Sequence, residues 1–349
     1  MPAAIQYVDW MRWTFGGYHE GVLEVLGVML TLAAAAGLVM LARRAPGPQP
    51  YPWYGWVCLG ALGGLELLLL AGRVPVVETF FTSWIWTVYI GAVDAAVYSW
   101  RGDSMLHHAA AFWSMAGLSI PAWLIFEAYN FRLRNWAYVG LPGHFGELAL
   151  GAGWAFATIF PGIFETADLI HASFAHGLRC RPWRRRVGAA WVAAGVVVLL
   201  VPLLAPARWG GYLFALVWAG FILLLEPLHR NWGWPSLLAD LEAGQPGRGV
   251  ALLLAGGACG FFWEFWNYWA RSRWEYIFPI LHRWRIFAMP VPGFLGFPPF
   301  ALECFALYIG LAQLLLPPAW RADLLAHGCS DGVPAVKAAS RPSERRGRH

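Results

Sequence analysis

Charge is what this sequence has least of. Asp, Glu, Lys and Arg make up 13% of the residues, and hydrophobic residues make up 59%. A soluble domain averages about 25% charged residues, so this chain is not built to face water on every side. Cysteine is sparse as well. There are five, with no CxxC pair and no spacing suited to metal ligands. Cys58, Cys259 and Cys304 fall in apolar segments and read as core thiols. No cleavable signal peptide is expected, because the first apolar run begins only after an aromatic, polar lead of about twenty residues. The formal charge is +5, but the arginines gather in loops and in the tail. That distribution speaks for membrane topology and against nucleic-acid binding.

What the chain does have is long apolar runs and 23 tryptophans. A membrane span needs about 20 apolar residues, and amphipathic rings suit the headgroup level. The pattern predicts an all-α, polytopic transmembrane helix bundle of about nine spans, its partner the lipid bilayer. They cover roughly 21–42, 54–72, 82–100, 109–129, 148–172, 188–205, 210–228, 249–269 and 290–316. Pro161 interrupts the fifth, and the run "PVPGFLGFPPF" interrupts the ninth. Such breaks are tolerated where protein or a wet cavity covers the backbone. The arginines of "LARRAPG", Arg101, "RCRPWRRR" and the tail fall on one side. That side is expected to be the cytoplasm, which places the N-terminus outside a bacterial inner membrane. Arg132, Arg134, Arg271, Arg273, Arg283 and Arg285 then lie outside and need partners. From residue 319 a disordered basic tail is expected, ending "SRPSERRGRH".

The chain repeats itself. Trp86, Asp94, Trp100, Ser104 and Leu106 match Trp218, Glu226, Trp232, Ser236 and Leu238 at one offset. Glu127, Asn130 and Arg134 match Glu264, Asn267 and Arg271 at a second. Trp136 and Tyr138 match Trp274 and Tyr276, and Pro161 and Glu165 match Pro299 and Glu303, in the same order. The predicted organisation is therefore an N-terminal segment with one helix (1–50), a first four-helix repeat (51–180), a second (181–318) and the tail. An even number of helices per copy makes the copies parallel.

The acids align with one another in this repeat. A charge at the bilayer centre costs roughly 2.5–3.5 kcal/mol, so six acids kept in matched pairs need a reason. In E-x-x-N-x-x-x-R the three polar residues share one helical face. Glu127, Asn130 and Arg134 are thus expected to form one polar ladder, and Glu264, Asn267 and Arg271 another. Each ladder is either a brace between helices or part of a shared cavity. In a cavity, a carboxyl kept from water can serve as a proton donor, and aromatic rings beside it can stabilise a cation. Glu165 and Glu303 each follow a proline, which frees a backbone carbonyl. Asp94 and Glu226 lie toward helix ends that water reaches, where a structural role is expected. Gly60 with Gly64, and Gly256 with Gly260, suit close helix packing. Glu165, Asp168 and His171 have metal-ligand spacing, but the second copy has Ala306 and Ile309 at the last two positions. No metal and no cofactor are expected.

The segment "FFWEFWNYWARSRWEY" followed by "FPPFALECF" resembles the lycopene cyclase domain of carotenoid biosynthesis. Members of that family carry an acid beside a tryptophan at a helix end, a W-x-aromatic turn, and a helix with a proline followed by glutamates. Here these elements are Trp263-Glu264, Trp274 to Tyr276, and Pro299 to Glu303. In the first copy they are Phe126-Glu127, Trp136 to Tyr138, and Pro161 to Glu165. The family's adjacent glutamates two residues after the proline are replaced by a single glutamate four residues after it. The resemblance implies an enzyme that acts on an isoprenoid or other lipid by acid–base chemistry. Glu264, Glu303, Glu127 and Glu165 would be its acids. Asn130, Asn267, Arg134, Arg271, Trp136, Trp274, Tyr138 and Tyr276 would line the substrate. Parallel repeats with mid-span acids equally suit a proton-linked transporter, and the brace reading suits a structural or partner-binding membrane protein.

Overall fold

The computed structural model describes residues 20–43, 47, 49–71, 74–184, 187–277 and 284–327. A helix lies on every apolar run, with most ends within a few residues of those expected. In chain order these are α1 (Glu20–Arg43), α2 (Trp53–Ala71), the short α3 (Pro75–Thr79), α4 (Phe81–Arg101) and α5 (Ala109–Leu133). Strand β1 (Trp136–Val139) precedes α6 (Phe145–Ala157) and α7 (Ile159–Ser173). Next come α8 (Ala189–Leu204), α9 (Ala207–Trp232), the short α10 (Leu237–Glu242), α11 (Gly247–Trp269) and strand β2 (Arg273–Tyr276). The two-residue strands β3 (Arg285–Ile286) and β4 (Met289–Pro290) lead through a 3-10 turn (Val291–Gly296) to α12 (Phe297–Leu315) and α13 (Pro318–His327).

Among the described residues, six stretches are long and apolar enough to cross a membrane. They are Leu23–Arg43, Ala109–Leu133, Phe145–Ser173, Arg208–Trp232, Gly247–Trp269 and Val291–Leu315. Trp53–Leu69 and Ala189–Leu204 are apolar but shorter. Helix α4 has 21 residues, but Thr82, Ser83, Thr87 and Asp94 dilute its apolar character. The outer faces of the bundle expose Met29, Leu32, Trp56, Leu67, Val197 and Leu204, a surface that suits lipid better than water. The chain is thus a helical, multi-pass membrane protein.

The helices pack in the spatial order α2, α4, α7, α11, α12, α9, α8, with α5 against both α12 and α7. The centre is aromatic: Trp86, Phe160, Phe164, Phe305 and Tyr308 are fully buried. Gly256 lets α11 approach the start of α12 so closely that a Cβ there would lie 2.4 Å from the Phe297 carbonyl oxygen. Gly60 and Gly64, expected to do the same, face open space on α2. That helix is at the periphery, and its close contact to α4 is made instead at Gly91, against Cys58.

The prolines that precede Glu165 and Glu303 start helices rather than kink them. Pro161 lies in the first turn of α7, and Pro298 and Pro299 lie in the first turn of α12, where the missing N–H has no intrahelical partner anyway. The break itself falls at Thr158 between α6 and α7. There the Ser119 hydroxyl accepts from Phe160 N (3.1 Å) and donates to the Phe156 carbonyl (2.5 Å). One side chain of α5 thus replaces the interrupted backbone bonds, as a break at membrane depth requires.

The start of the segment expected as tail is helical. Helix α13 continues to His327 and buries Leu324, and Arg321 donates to the Gln313 carbonyl (2.9 Å). A buried leucine one helical turn beyond Arg321 anchors a segment whose composition alone reads as polar. Residues 328–349 lie outside the described residues.

Candidate functional site

Helices α5 and α11 end in the same way. Asn130 donates through Nδ2 to the Trp136 carbonyl (3.0 Å), and its Oδ1 accepts from Asn135 N (2.9 Å) and Trp136 N (3.1 Å). Asn267 donates to the Trp274 carbonyl (2.8 Å) and accepts from Trp274 N (2.9 Å). Each amide side chain takes the place of the next helical turn and folds the chain back as a strand. The two strands pair antiparallel, Trp136 with Tyr276, Ala137 with Glu275 and Tyr138 with Trp274. This ribbon closes one end of the bundle.

Folding back returns the aromatics to the acids one turn inside each helix. Glu127 Oε1 accepts from Tyr138 Oη (2.5 Å), Trp123 Nε1 (2.9 Å) and Trp136 Nε1 (3.2 Å). Glu264 Oε1 accepts from Tyr276 Oη (2.7 Å), which itself accepts from Trp274 Nε1 (2.9 Å). The copies differ in one respect. Gly260 stands where the first copy has Trp123, so Glu264 has no indole one turn back. Its Oε2 is buried with no hydrogen-bond partner among the described residues. Burial, then the neighbouring glutamate, pushes the phenols of Tyr138 and Tyr276 well above their ordinary value of 10. Both therefore remain O–H donors at neutral pH.

The expected polar ladders are not formed. Helix α5 stops at Leu133, Arg134 adopts a left-handed φ of 55°, and α11 stops at Trp269. The arginine positions thus lie beyond the helical face that carries Glu and Asn, and both side chains are exposed. Among the described residues no ion pair joins Arg134 to Glu127 or Arg271 to Glu264. Neighbouring arginines do have partners: Arg132 donates to the Ala205 carbonyl (2.7 Å) and Arg273 pairs with Glu275 (2.8 Å). Arg283 lies outside the described residues.

A cavity of about 520 Å³ lies against the ribbon. Its walls are aromatic: Trp123, Trp136, Tyr138, Trp263, Trp274 and Tyr276, joined by Phe80, Phe156, Phe214, Trp218 and Phe297. Glu127 and Glu264 do not line it; the phenols of Tyr138 and Tyr276 do. Each phenol therefore stands between a carboxyl group and the cavity. Asn135, 4% exposed, also lines the wall, with Nδ2 on the Gly211 carbonyl (3.3 Å) and Oδ1 without a partner among the described residues.

Glu303 and Glu165 do not reach this cavity. The first turns of α12 and α7 do, through Pro299, Phe300 and Ile159, but the acids sit one to two turns deeper. Glu303 Oε1 accepts from Phe221 N on α9 (3.1 Å), and its Oε2 has no partner among the described residues. Glu165 is buried with neither oxygen hydrogen-bonded there, facing the charges of Asp94, Asp168 and Arg101. Asp168 meets Arg101 at 3.7 Å, and no group of three potential metal ligands occurs among the described residues.

Asp94 and Glu226 are buried, contrary to the water-reached position expected. Asp94 accepts from Tyr54 Oη (2.7 Å), Ser104 Oγ (3.0 Å) and Leu106 N (2.9 Å), and Glu226 accepts from Leu238 N (3.0 Å). Both close the loop that follows their own helix through the backbone N–H of the matched Leu106 and Leu238; the matched serines differ, Ser104 donating to Asp94 and Ser236 capping α10 by accepting from Ala239 N. Two further acids hold rings of α11: Glu66 accepts from Trp266 Nε1 (2.7 Å), and Glu24 accepts from Tyr268 Oη.

No protein family, curated protein or solved structure is found to match the chain.

Proposed function

We propose that the chain is a lycopene cyclase-like membrane enzyme that acts on an isoprenoid or related lipid by acid–base chemistry. The observation that carries this reading is the aromatic cavity whose wall presents two phenols, each bonded to an acid behind it. A proton passed to a terminal double bond of the substrate makes a carbocation. Attack by a second double bond closes a ring, and a neighbouring proton is lost to the deprotonated Tyr276–Glu264 pair, which restores neutrality and the acid, so nothing is oxidised or reduced. Tyr276 would hand over the proton and Glu264 would replace it, because Tyr276 alone of the two faces the substrate space. Trp263, Trp274 and Trp218 would shield the cation from water and stabilise it through their ring faces. Glu264 suits this role better than Glu127, whose accepting oxygen already holds three donors.

Nine crossings in two parallel copies, with the ribbon outside and the tail cytoplasmic, form the architecture of this proposal. The strand register supports it. Exchanging the copies carries Trp136 onto Trp274 and Tyr138 onto Tyr276, which maps the observed pairing onto itself. The aromatic contacts support it too: Trp86 packs on Trp263 (4.8 Å) as Trp218 packs on Phe126 (5.5 Å), matched residues in both cases.

The test is expression in a lycopene-producing host with pigment analysis. Cyclised pigment is expected, with conversion lowered at least about a hundredfold in Glu264→Gln and Tyr276→Phe, the usual share of a general acid. An unchanged pigment profile from well-expressed wild-type protein removes the cyclase reading. A proton-linked transporter is the second reading, favoured by both carboxyl oxygens of Glu165 and one of Glu303, which have no hydrogen-bond partner among the described residues inside the bundle. It predicts a pH-dependent flux in proteoliposomes that Glu303→Gln abolishes.

A further inference from the structure

A second cavity, of about 480 Å³, lies at the end of the bundle opposite the ribbon. Its walls come from the ends of α4 and α7, the loop after α7, helix α10 and the start of α11. Its character is the reverse of the first. Arg101, Arg179, Arg248, His171 and His176 line it, against a single acid, Asp240.

Two of the arginines have capacity left for a ligand. Arg248 is only 8% exposed, so the guanidinium is held in place. Its Nε lies 3.3 Å from Asp240 Oδ2 and its plane rests over the Phe305 ring at 5.3 Å. Neither of its Nη groups has a hydrogen-bond partner among the described residues. Arg179 donates through Nη1 alone, to the His176 and Leu178 carbonyls (3.0 and 2.9 Å). Arg101 is held by Asp168 behind the wall. The third contribution is backbone. Helix α11 runs for 23 residues from Gly247, no side chain caps its first turn, and Gly247 and Arg248 themselves line the cavity. The start of the helix, with its free N–H groups and the positive end of its dipole, therefore lies at the same cavity as the arginines.

Planar guanidinium forks and a helix N-terminus recognise the same chemistry, a tetrahedral oxyanion with several acceptor oxygens. We propose that this cavity binds a phosphate group, held by Arg179, Arg248 and the first turn of α11. The phosphate could belong to an anionic lipid headgroup reaching in from the bilayer or to a soluble molecule. Trp100 and Leu178 give the wall an apolar part beside the charges. The proposal is independent of the chemistry assigned to the ribbon cavity.

Full-length protein, delipidated in a non-ionic detergent, tests it. Calorimetric titration with inorganic phosphate is one arm. Native mass spectrometry with phosphatidylglycerol, compared with diacylglycerol of the same chains, is the other. Arg248→Gln alone would strand Asp240, so it is combined with Asp240→Asn; Arg179→Gln is the second variant and removes no ion pair. Saturable one-site binding is expected in at least one arm, weakened about tenfold or more by each variant, which is the loss of one charge-assisted bond. Binding of phosphatidylglycerol without free phosphate identifies a headgroup site. Binding of free phosphate without the lipid identifies a soluble ligand. Saturable binding in neither arm, or wild-type affinity in both variants, overturns the proposal.

Discussion

Replacing Asn267 by alanine removes the clamp that turns α11 into the ribbon. The side chain is fully buried and makes two bonds, to Trp274 O (2.8 Å) and from Trp274 N (2.9 Å). A neutral hydrogen bond contributes about 0.5–1.5 kcal/mol net, and a buried group left without its partner costs about 1–3 kcal/mol. Both Trp274 backbone groups lose their partner at once, so the expected loss is roughly 2–6 kcal/mol. Trp274 also carries the indole that donates to Tyr276, and the phenol depends on the strand for its position. Equilibrium unfolding in mixed micelles of a mild detergent and SDS, followed by tryptophan fluorescence, measures the loss. Asn267→Asp keeps an acceptor for Trp274 N but sets a second oxygen against the Trp274 carbonyl, so it is expected to fall in the same range. Asn130→Ala removes three bonds and is expected to cost at least as much. A loss below about 1 kcal/mol for both alanine variants, less than one stranded backbone group, would refute the claim that these amides hold the ribbon.

Three further outcomes are expected. Gly140→Ala destabilises the ribbon in the same assay, by about 1–2 kcal/mol from the left-handed φ of 66° alone; the new Cβ would also lie 2.1 Å from the Arg271 carbonyl oxygen. In alkaline titration followed near 295 nm, Tyr138 and Tyr276 ionise only as the protein unfolds. Their folded values are raised, so their contribution to stability is intact below about pH 10 and is lost as the pH climbs past it. The Tyr138→Phe/Tyr276→Phe pair has two fewer late phenols, and an unchanged late amplitude contradicts the assignment. Asp94→Ala costs more than Glu226→Ala, because it strands three donors rather than one. Equal losses, or the reverse order, would show that the loop closures are not held by these bonds.

The helices were readable because an apolar run of about twenty residues matches the thickness of a bilayer and little else, although several ends, such as the start of α12 at Phe297, lie several residues from those expected. The matched acids were readable because acids are rare. Their surroundings were not. Placing Arg134 on the same face as Glu127 required helical geometry through residue 134, where the chain is left-handed instead. The helix in fact stops at Leu133, with the Asn130 side chain holding the chain that folds back, and a four-residue strand between two long helices leaves only a weak period-2 trace. Once the chain reverses, Tyr138 and Tyr276 reach the acids, a contact that helical spacing cannot suggest. Glu165 and Glu303 were grouped with Glu127 and Glu264 because all four repeat. Depth along a helix separates them, and repetition carries no information about depth. Trp123, one turn before Glu127, could have been found from its i, i+4 spacing; Gly260 at the matching place marks where the copies differ.

The ribbon also constrains the order in which the protein is made. Trp136 to Val139 leave the ribosome long before Arg273 to Tyr276, and among the described residues each strand pairs only with the other. The first half therefore waits, with one strand edge open and the aromatic cavity lacking one wall, until α11 has been inserted and Asn267 has turned the chain. Pairings so distant in sequence form slowly, and an open edge can meet the wrong partner. A nascent chain halted before residue 273 should thus be more accessible to proteases around residues 136–142 than the finished protein, and more prone to pair with a second copy of itself.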